Sequence, residues 1–261
     1  MPSKEKDKSV KLYYIINPEF SALTSFVHTL PGGGYRVEHT YCNHRNVVEL
    51  IAAPDGRQYV LKRFKRPSLV NRLVYGVIRK DKARRAYDNA FMLLDNGIDT
   101  PRPVACFGCR RHLLYDTGWY LSQYMPRPTI VQVYRNLPDD ARDGLMTQFF
   151  QFTLALYRKH IIDKDYNGGN ILVEQVGREF HFALVDINRM RRGTPSLRDE
   201  MRAMSQMSPT AELIDRWLPL YARLRGADAA LLRRLLDAAD RHIAHKQAFK
   251  RRLRDLLGKK H

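Results

Sequence analysis

Three side chains in the stretch HIIDKDYNGGNILVEQVGREFHFALVDINRM stand where a bland surface explanation is weak. Asp165 and Asn170 are five residues apart around an Asn-Gly-Gly turn, immediately before an apolar run, and Asp186 ends a second apolar run, Ala-Leu-Val. The two runs, 171–176 and 180–185, are joined across Gly177 and should pair as a hairpin. A carboxylate, a carboxamide and a second carboxylate then converge at one end of a small sheet. Hard oxygen ligands on a rigid hairpin suit Mg²⁺, which holds phosphate oxygens at the same time. Asp165 is placed to orient a hydroxyl and take its proton.

Taken singly, each residue has a plain alternative, because Asn and Gly make turns everywhere and an Asp at a strand end often caps one. The combination is far more specific. Asp-x4-Asn, an apolar strand and then apolar-apolar-Asp is a catalytic loop followed by a metal loop, the layout of kinase-type phosphoryl transfer. Such chemistry also needs a strand lysine for the α- and β-phosphates of ATP and an acid on a helix to hold that lysine. Lys62 in QYVLKRF meets the first requirement, with Arg63 on the opposite face by the two-residue strand period. Asp88, one turn before Phe91, is the candidate acid, with Arg84 four residues earlier as its competing partner. No GxGxxG covers the phosphates. The expected cover is the turn Cys42–Asn46 between two strands, with His44 and Arg45 supplying donors, and the glycines of Gly32–Gly34 serve as a flexible entry to the sheet.

The elements that must position these residues are legible as a strand-rich first half and a helical second half. Strands are expected over 11–16, 35–41, 46–53, 58–64, 104–107, 113–115 and 119–124, with Asp55-Gly56 marking a hairpin. A helix with Pro in its first turn is expected over 18–30. Tyr87, Ala90, Phe91 and Leu94 share one face of a second helix over 81–96, ended by Gly97 and the Pro pair of TPRP. The basic stretch KRPSLVNRLVYGVIRK between them reads as a partly helical connector. MPRP at 125–128 is the expected hinge, dividing the chain into 1–124 and 125–261. Leu145, Phe149, Phe152 and Leu156 recur at four, three and four, so 140–159 is an amphipathic helix. After Gly193 the chain reads as helices.

Composition sets the outer limits. The chain has 261 residues, 44% of them hydrophobic, so it can bury a core and is neither disordered nor fibrous. Lys and Arg outnumber Asp and Glu by 45 to 27, a formal net charge of +18, which attracts an anionic partner: nucleic acid, a membrane surface or a phosphorylated substrate. Residues 223–261 hold twelve Lys/Arg and four acids, with Leu231, Leu232, Leu235, Leu236 and Ala239 along one helical face. That pattern suits an anionic leaflet. Nucleic acid is disfavoured, because the bases cluster in helices without interleaved aromatics or a docking motif. Three cysteines form no disulfide framework, and the lone Cys106-x-x-Cys109 lacks the second pair of a zinc site; both are expected as half-buried thiols. No signal-peptide pattern or run of membrane-spanning length is present, so the expected location is cytoplasmic, peripheral at the inner face of the inner membrane.

The segments VLKRFKRPSLVNRLVYGVIRK, RAYDNAFMLLDNGIDTPRPVA, DYNGGNIL and FALVDINRMR, in this order from about Arg45 to Arg192, resemble the Kdo/WaaP lipopolysaccharide core kinase family, in particular its short Bacteroidota-type members. The resemblance implies an α+β, bilobal protein-kinase-like fold with a β-rich N-lobe and a helical C-lobe. It implies transfer of the γ-phosphate of ATP, with Mg²⁺, to a sugar hydroxyl of the lipopolysaccharide inner core. Lys62 then looks like the ATP-phosphate lysine, Asp88 the helix acid, Asp165 the catalytic base, and Asn170 and Asp186 the magnesium ligands. The sequence departs from the family pattern at Asp163, where a histidine is usual, at Asp88, usually Glu, and at Asp-Ile-Asn in place of Asp-Phe-Gly. A scaffolding pseudokinase, a kinase of proteins or small molecules, and a basic nucleic-acid-binding protein are the alternative readings.

Overall fold

The computed structural model describes residues 10–44, 46–68, 72, 75, 80–111 and 114–256. The basic leader, Arg45, much of the 65–80 connector, Leu113 and the last five residues, with Lys259 and Lys260, lie outside them. The chain forms two compact units: Met1–Pro126 with Leu184–Arg189, and Arg127–Ala183 with Met190–His261. The short segment that contains Asp186 therefore belongs with the β-rich half, although the chain on both sides of it belongs to the other unit.

The first unit is built on six antiparallel strands in the order β1-β5-β6-β4-β3-β2. These are β1 (Val10–Ile16), β2 (Arg36–Asn43), β3 (Asn46–Ala52), β4 (Gln58–Phe64), β5 (Pro103–Arg111) and β6 (Leu114–Gln123). The hairpin between β3 and β4 turns at Gly56, whose φ of 76° lies in the left-handed region that glycine enters without steric cost. One face of the sheet packs Ile51, Tyr59, Leu61, Phe107, Trp119 and Leu121 against Phe20, Leu23, Val27 and Leu30. Those four come from the expected 18–30 helix, which is three short pieces: a 3-10 turn Pro18–Leu23, helix α1 (Thr24–Thr29) and a 3-10 turn Leu30–Gly32. The break falls at Phe20, at φ −115° and ψ 25°, whose ring is buried in that core.

Strand β6 spans the expected gap at 116–118, with its register against β5 shifting at Asp116. Gly118 is required there by packing, since a Cβ would lie 2.1 Å from the Tyr115 hydroxyl. Helix α2 (Lys82–Asp95) starts where expected, with Asp81 as its N-cap accepting the Arg84 amide at 3.0 Å. Asp81 is 2% exposed and also accepts the Tyr13 hydroxyl, which ties the helix start to β1. Cys106 and Cys109 sit three apart on β5 and so face opposite sides of the sheet; Cys106 is fully buried rather than half-buried, and burial pushes its thiol pKa up.

The second unit is mostly helical: α3 (Ile130–Asn136), α4 (Asp139–Arg158), α5 (Leu197–Gln206), α6 (Ala211–Arg225) and α7 (Ala229–Leu256). Helix α3 has no counterpart in the periodicity reading, being only seven residues long; a Thr129/Gln132 capping box starts it. On α4 the buried residues are Leu145, Met146, Phe149, Phe150, Thr153 and Leu156, so Phe152 of the expected stripe lies at its margin. Strands β8 (Ile171–Val176) and β9 (Glu179–Leu184) form the expected hairpin. A second pair, β7 (Ile161–Asp163) with β10 (Met190–Arg192), is three residues long on each side, too short for an alternation to register. Glu200 of α5 is 2% exposed and is balanced by the Tyr221 hydroxyl at 2.7 Å and Arg225 at 3.1 Å, both on α6. Among the described residues no helix is long and apolar enough to cross a membrane.

Candidate functional site

In the first unit the site centres on Lys62. It lies mid-strand on β4, opposite Val48 of β3 and Tyr120 of β6, and is 9% exposed. A nearly buried ammonium needs a counter-charge, and it has one: Lys62 forms an ion pair with Oδ1 of Asp186. Arg63, one residue on, is exposed on the other face.

Asp186 is held for this contact by a short segment anchored at both ends to the first unit. The Leu184 amide donates to the Asp99 carbonyl at 3.0 Å, and the Thr100 hydroxyl donates to the Leu184 carbonyl at 2.7 Å. Beyond Asp186, the Asn89 amide of α2 donates to the Ile187 carbonyl at 2.7 Å. Asp186 itself adopts φ 55°, a left-handed conformation that Asp tolerates better than most side chains. Such backbone is held only where its surroundings over-determine it, and it concentrates at functional positions. Asn188, 5% exposed, also donates to Oδ1 of Asp186. Both contacts fall on the same oxygen, so Oδ2 is the one neither uses. Asn188 is not among the residues that the sequence points to; the Asp-x-Asn spacing of a local side-chain hydrogen bond is its signal.

The helix acid is a correction. Asp88 does not hold Lys62: its carboxylate accepts from Arg84 at 2.7 Å and Lys80 at 2.8 Å, on the partly exposed side of α2. The i,i+4 pair with Arg84 is the local alternative, and it wins because the helix face that meets the 187–189 segment is the one carrying Asn89. His44 is an exposed residue of the β2–β3 turn, and its neighbour Arg45 lies outside the described residues.

In the second unit the loop after β7 is a chain of short polar contacts. Asp163, 9% exposed, accepts the Asp165 amide at 2.9 Å, so it supplies from within the loop a support where the resemblance would put a histidine. The amide nitrogens of Asn167 and Asn170 both donate to the Asp165 carbonyl, at 2.9 and 3.1 Å. That bond leaves the amide oxygen of Asn170 as the end available to a cation. Tyr166 points into the core, stacked on Phe149 at 5.8 Å with its hydroxyl 2.8 Å from that of Thr153. Gly168 packs closely on α3, where a Cβ would lie 2.6 Å from a methyl of Val131. The loop that carries Asp165 is thus fixed from below by α4 and from the side by α3.

No family profile matches this chain, and no curated protein does. Solved structures do match. A structure of WaaP in complex with acyl carrier protein aligns with 89% of this chain and 97% of its own, at 17% identity and a TM-score of 0.58. The Rio2 kinase of Chaetomium thermophilum, in its ADP/Mg²⁺-phosphoaspartate complex, aligns with 89% of this chain and 78% of its own, at 16% identity and a TM-score of 0.51. The fold is that of the protein-kinase-like proteins, α+β with a β-rich sheet and a helical part.

The Asp163 contact makes a local prediction. Asp163→Ala should speed hydrogen exchange in peptides spanning 163–170 by about tenfold, the loss of roughly one charge-assisted hydrogen bond, while Asp163→Asn retains an acceptor and most of the protection. Equal protection in wild type and Asp163→Ala would show that the bond does not hold the loop.

Proposed function

We propose that this protein is an ATP-dependent phosphotransferase acting on a sugar hydroxyl of a lipid-linked saccharide, the lipopolysaccharide inner core. The observation that carries the phosphotransferase reading is the contact of a buried strand lysine, Lys62, with an aspartate on a left-handed turn, Asp186. The saccharide acceptor is supported by the sequence resemblance and by the likeness to WaaP.

In this reading Lys62 neutralises the α- and β-phosphates of ATP. Oδ2 of Asp186 and the amide oxygen of Asn170 are each hard donors of the kind Mg²⁺ takes. When bound, that ion offsets phosphate charge as it develops. Asp165 orients the acceptor hydroxyl and accepts its proton as the oxygen bonds to the γ-phosphorus. The bond from that phosphorus to the β-phosphate oxygen breaks, and ADP leaves with the electron pair. Positioning and charge neutralisation supply most of the acceleration, because the transition state is loose.

The same reading places the enzyme at an anionic membrane surface on the cytoplasmic side, through α7. Leu232 and Leu236 of its first half are fully buried, while Arg241, Lys246, Arg251 and Arg252 further along are exposed and Phe249 is 65% exposed. No acid occurs between Asp240 and Asp255. Each base near an anionic leaflet contributes roughly 1 kcal/mol, and an exposed Phe adds apolar contact.

Asp165→Asn should lower turnover on purified lipid A–core by about 10²–10⁴-fold and leave ATP affinity within a factor of about three. Wild-type turnover in that variant would remove Asp165 from its role, and nucleotide binding without turnover in the wild type would favour the pseudokinase. Phosphatidylglycerol vesicles should carry the protein upward on flotation at low salt and release it at about 0.5 M salt, where charges are screened within a few ångströms. Failure to float at low salt would end the membrane assignment.

A further inference from the structure

The α2 face that meets the 187–189 segment carries a cation where a kinase-type site is expected to place an acid. Lys82, Arg85 and Asn89 recur at three and four, and Asn89 fixes which way that face is turned by its 2.7 Å bond to the Ile187 carbonyl. Lys82 is the first residue of the helix, directly after the buried cap Asp81, so its backbone is set by the Asp81–Arg84 bond and by Tyr13.

The surroundings of Lys82 are electrostatically one-sided. Burial, then Arg189, Arg85 and Lys62, hold its ammonium below the usual lysine range, and only Asp186 pulls the other way. Asp186 is already bonded through Oδ1 to Lys62 and Asn188. Among the described residues no hydrogen bond or ion pair engages the Lys82 ammonium. A half-buried lysine beside three other cations disfavours the folded state through repulsion, and a bound polyanion would convert that repulsion into attraction. The N-terminal end of α2 adds the partial positive charge of its dipole in the same place.

We propose that Lys82 is a second phosphate-binding lysine, which contacts the polyphosphate of the nucleotide together with Lys62. This rests on the phosphotransferase reading and adds a residue that the resemblance does not assign. Because Asp186 provides the counter-charge of Lys62, the helix needs no acid toward Lys62, and Asp88 pairs along the helix surface with Arg84 and Lys80.

The test compares ATP, ADP and adenosine binding by calorimetry in wild type, Lys62→Met, Lys82→Met and Lys82→Arg. Lys82→Met should weaken ATP about tenfold or more, the loss of one charge-assisted contact, weaken ADP less, and leave adenosine unchanged, while Lys82→Arg retains ATP binding. Without nucleotide, Lys82→Met should melt no lower than wild type, since removing the ammonium relieves repulsion. Unchanged ATP affinity in Lys82→Met, with Lys62→Met weakened, would overturn the Lys82 assignment and leave the broader reading intact. Wild type that binds no ATP would overturn both.

Discussion

An ammonium in the middle of a β-sheet cannot be left without a partner, and much of the first unit follows from how this one is satisfied. Lys62 is almost fully enclosed by β3, β6 and its own strand, in a setting where an unpaired charge costs several kcal/mol. The carboxylate that answers it comes from a part of the chain more than a hundred residues away, on a segment that leaves the helical unit for six residues and then returns to it. Thr100, Asp99 and Asn89 hold that segment against the first unit, and the left-handed turn at Asp186 aims the carboxylate. Breaking the pair by removing one partner leaves a buried charge uncompensated, so the geometry has little latitude.

The second unit solves a different problem, holding an irregular polar loop still. It uses the hydrogen-bonding capacity of short side chains. Asp163, Asn167 and Asn170 all direct their bonds at the backbone of Asp165, and Tyr166 plugs the loop into the aromatic cluster of α4. Local side-chain-to-backbone bonds of this type hold an irregular turn with few residues.

The sequence was most informative where period and punctuation agree. Strand β4 has its expected limits, and α2 lies within its expected span and ends at its expected stop, because alternation, helical period and Gly97 act locally. The β8–β9 hairpin was legible for the same reason. The short pair β7–β10 and helix α3 were not, since three to seven residues do not complete enough periods to be distinguished from loop. The partner of Lys62 is not legible in the sequence, because the choice between Asp88 and Asp186 depends on which way α2 is rotated. That rotation is set by Asn89 and Ile187, nearly a hundred residues apart. The gap left between the expected strands at 116–118 lies within β6, where Gly118 packs against Tyr115, a distinction that only a tertiary neighbour can make.

The proposed function makes Asp186, beside Lys62, the point where a divalent cation and the nucleotide meet. It is tested most directly by measuring ATP affinity with and without Mg²⁺ in the intact wild-type protein and in Asp186→Asn. The account predicts that Mg²⁺ tightens ATP binding to the wild type and that this gain collapses in the variant, while binding in the absence of the ion persists. A magnesium-dependent gain of equal size in both proteins would contradict it.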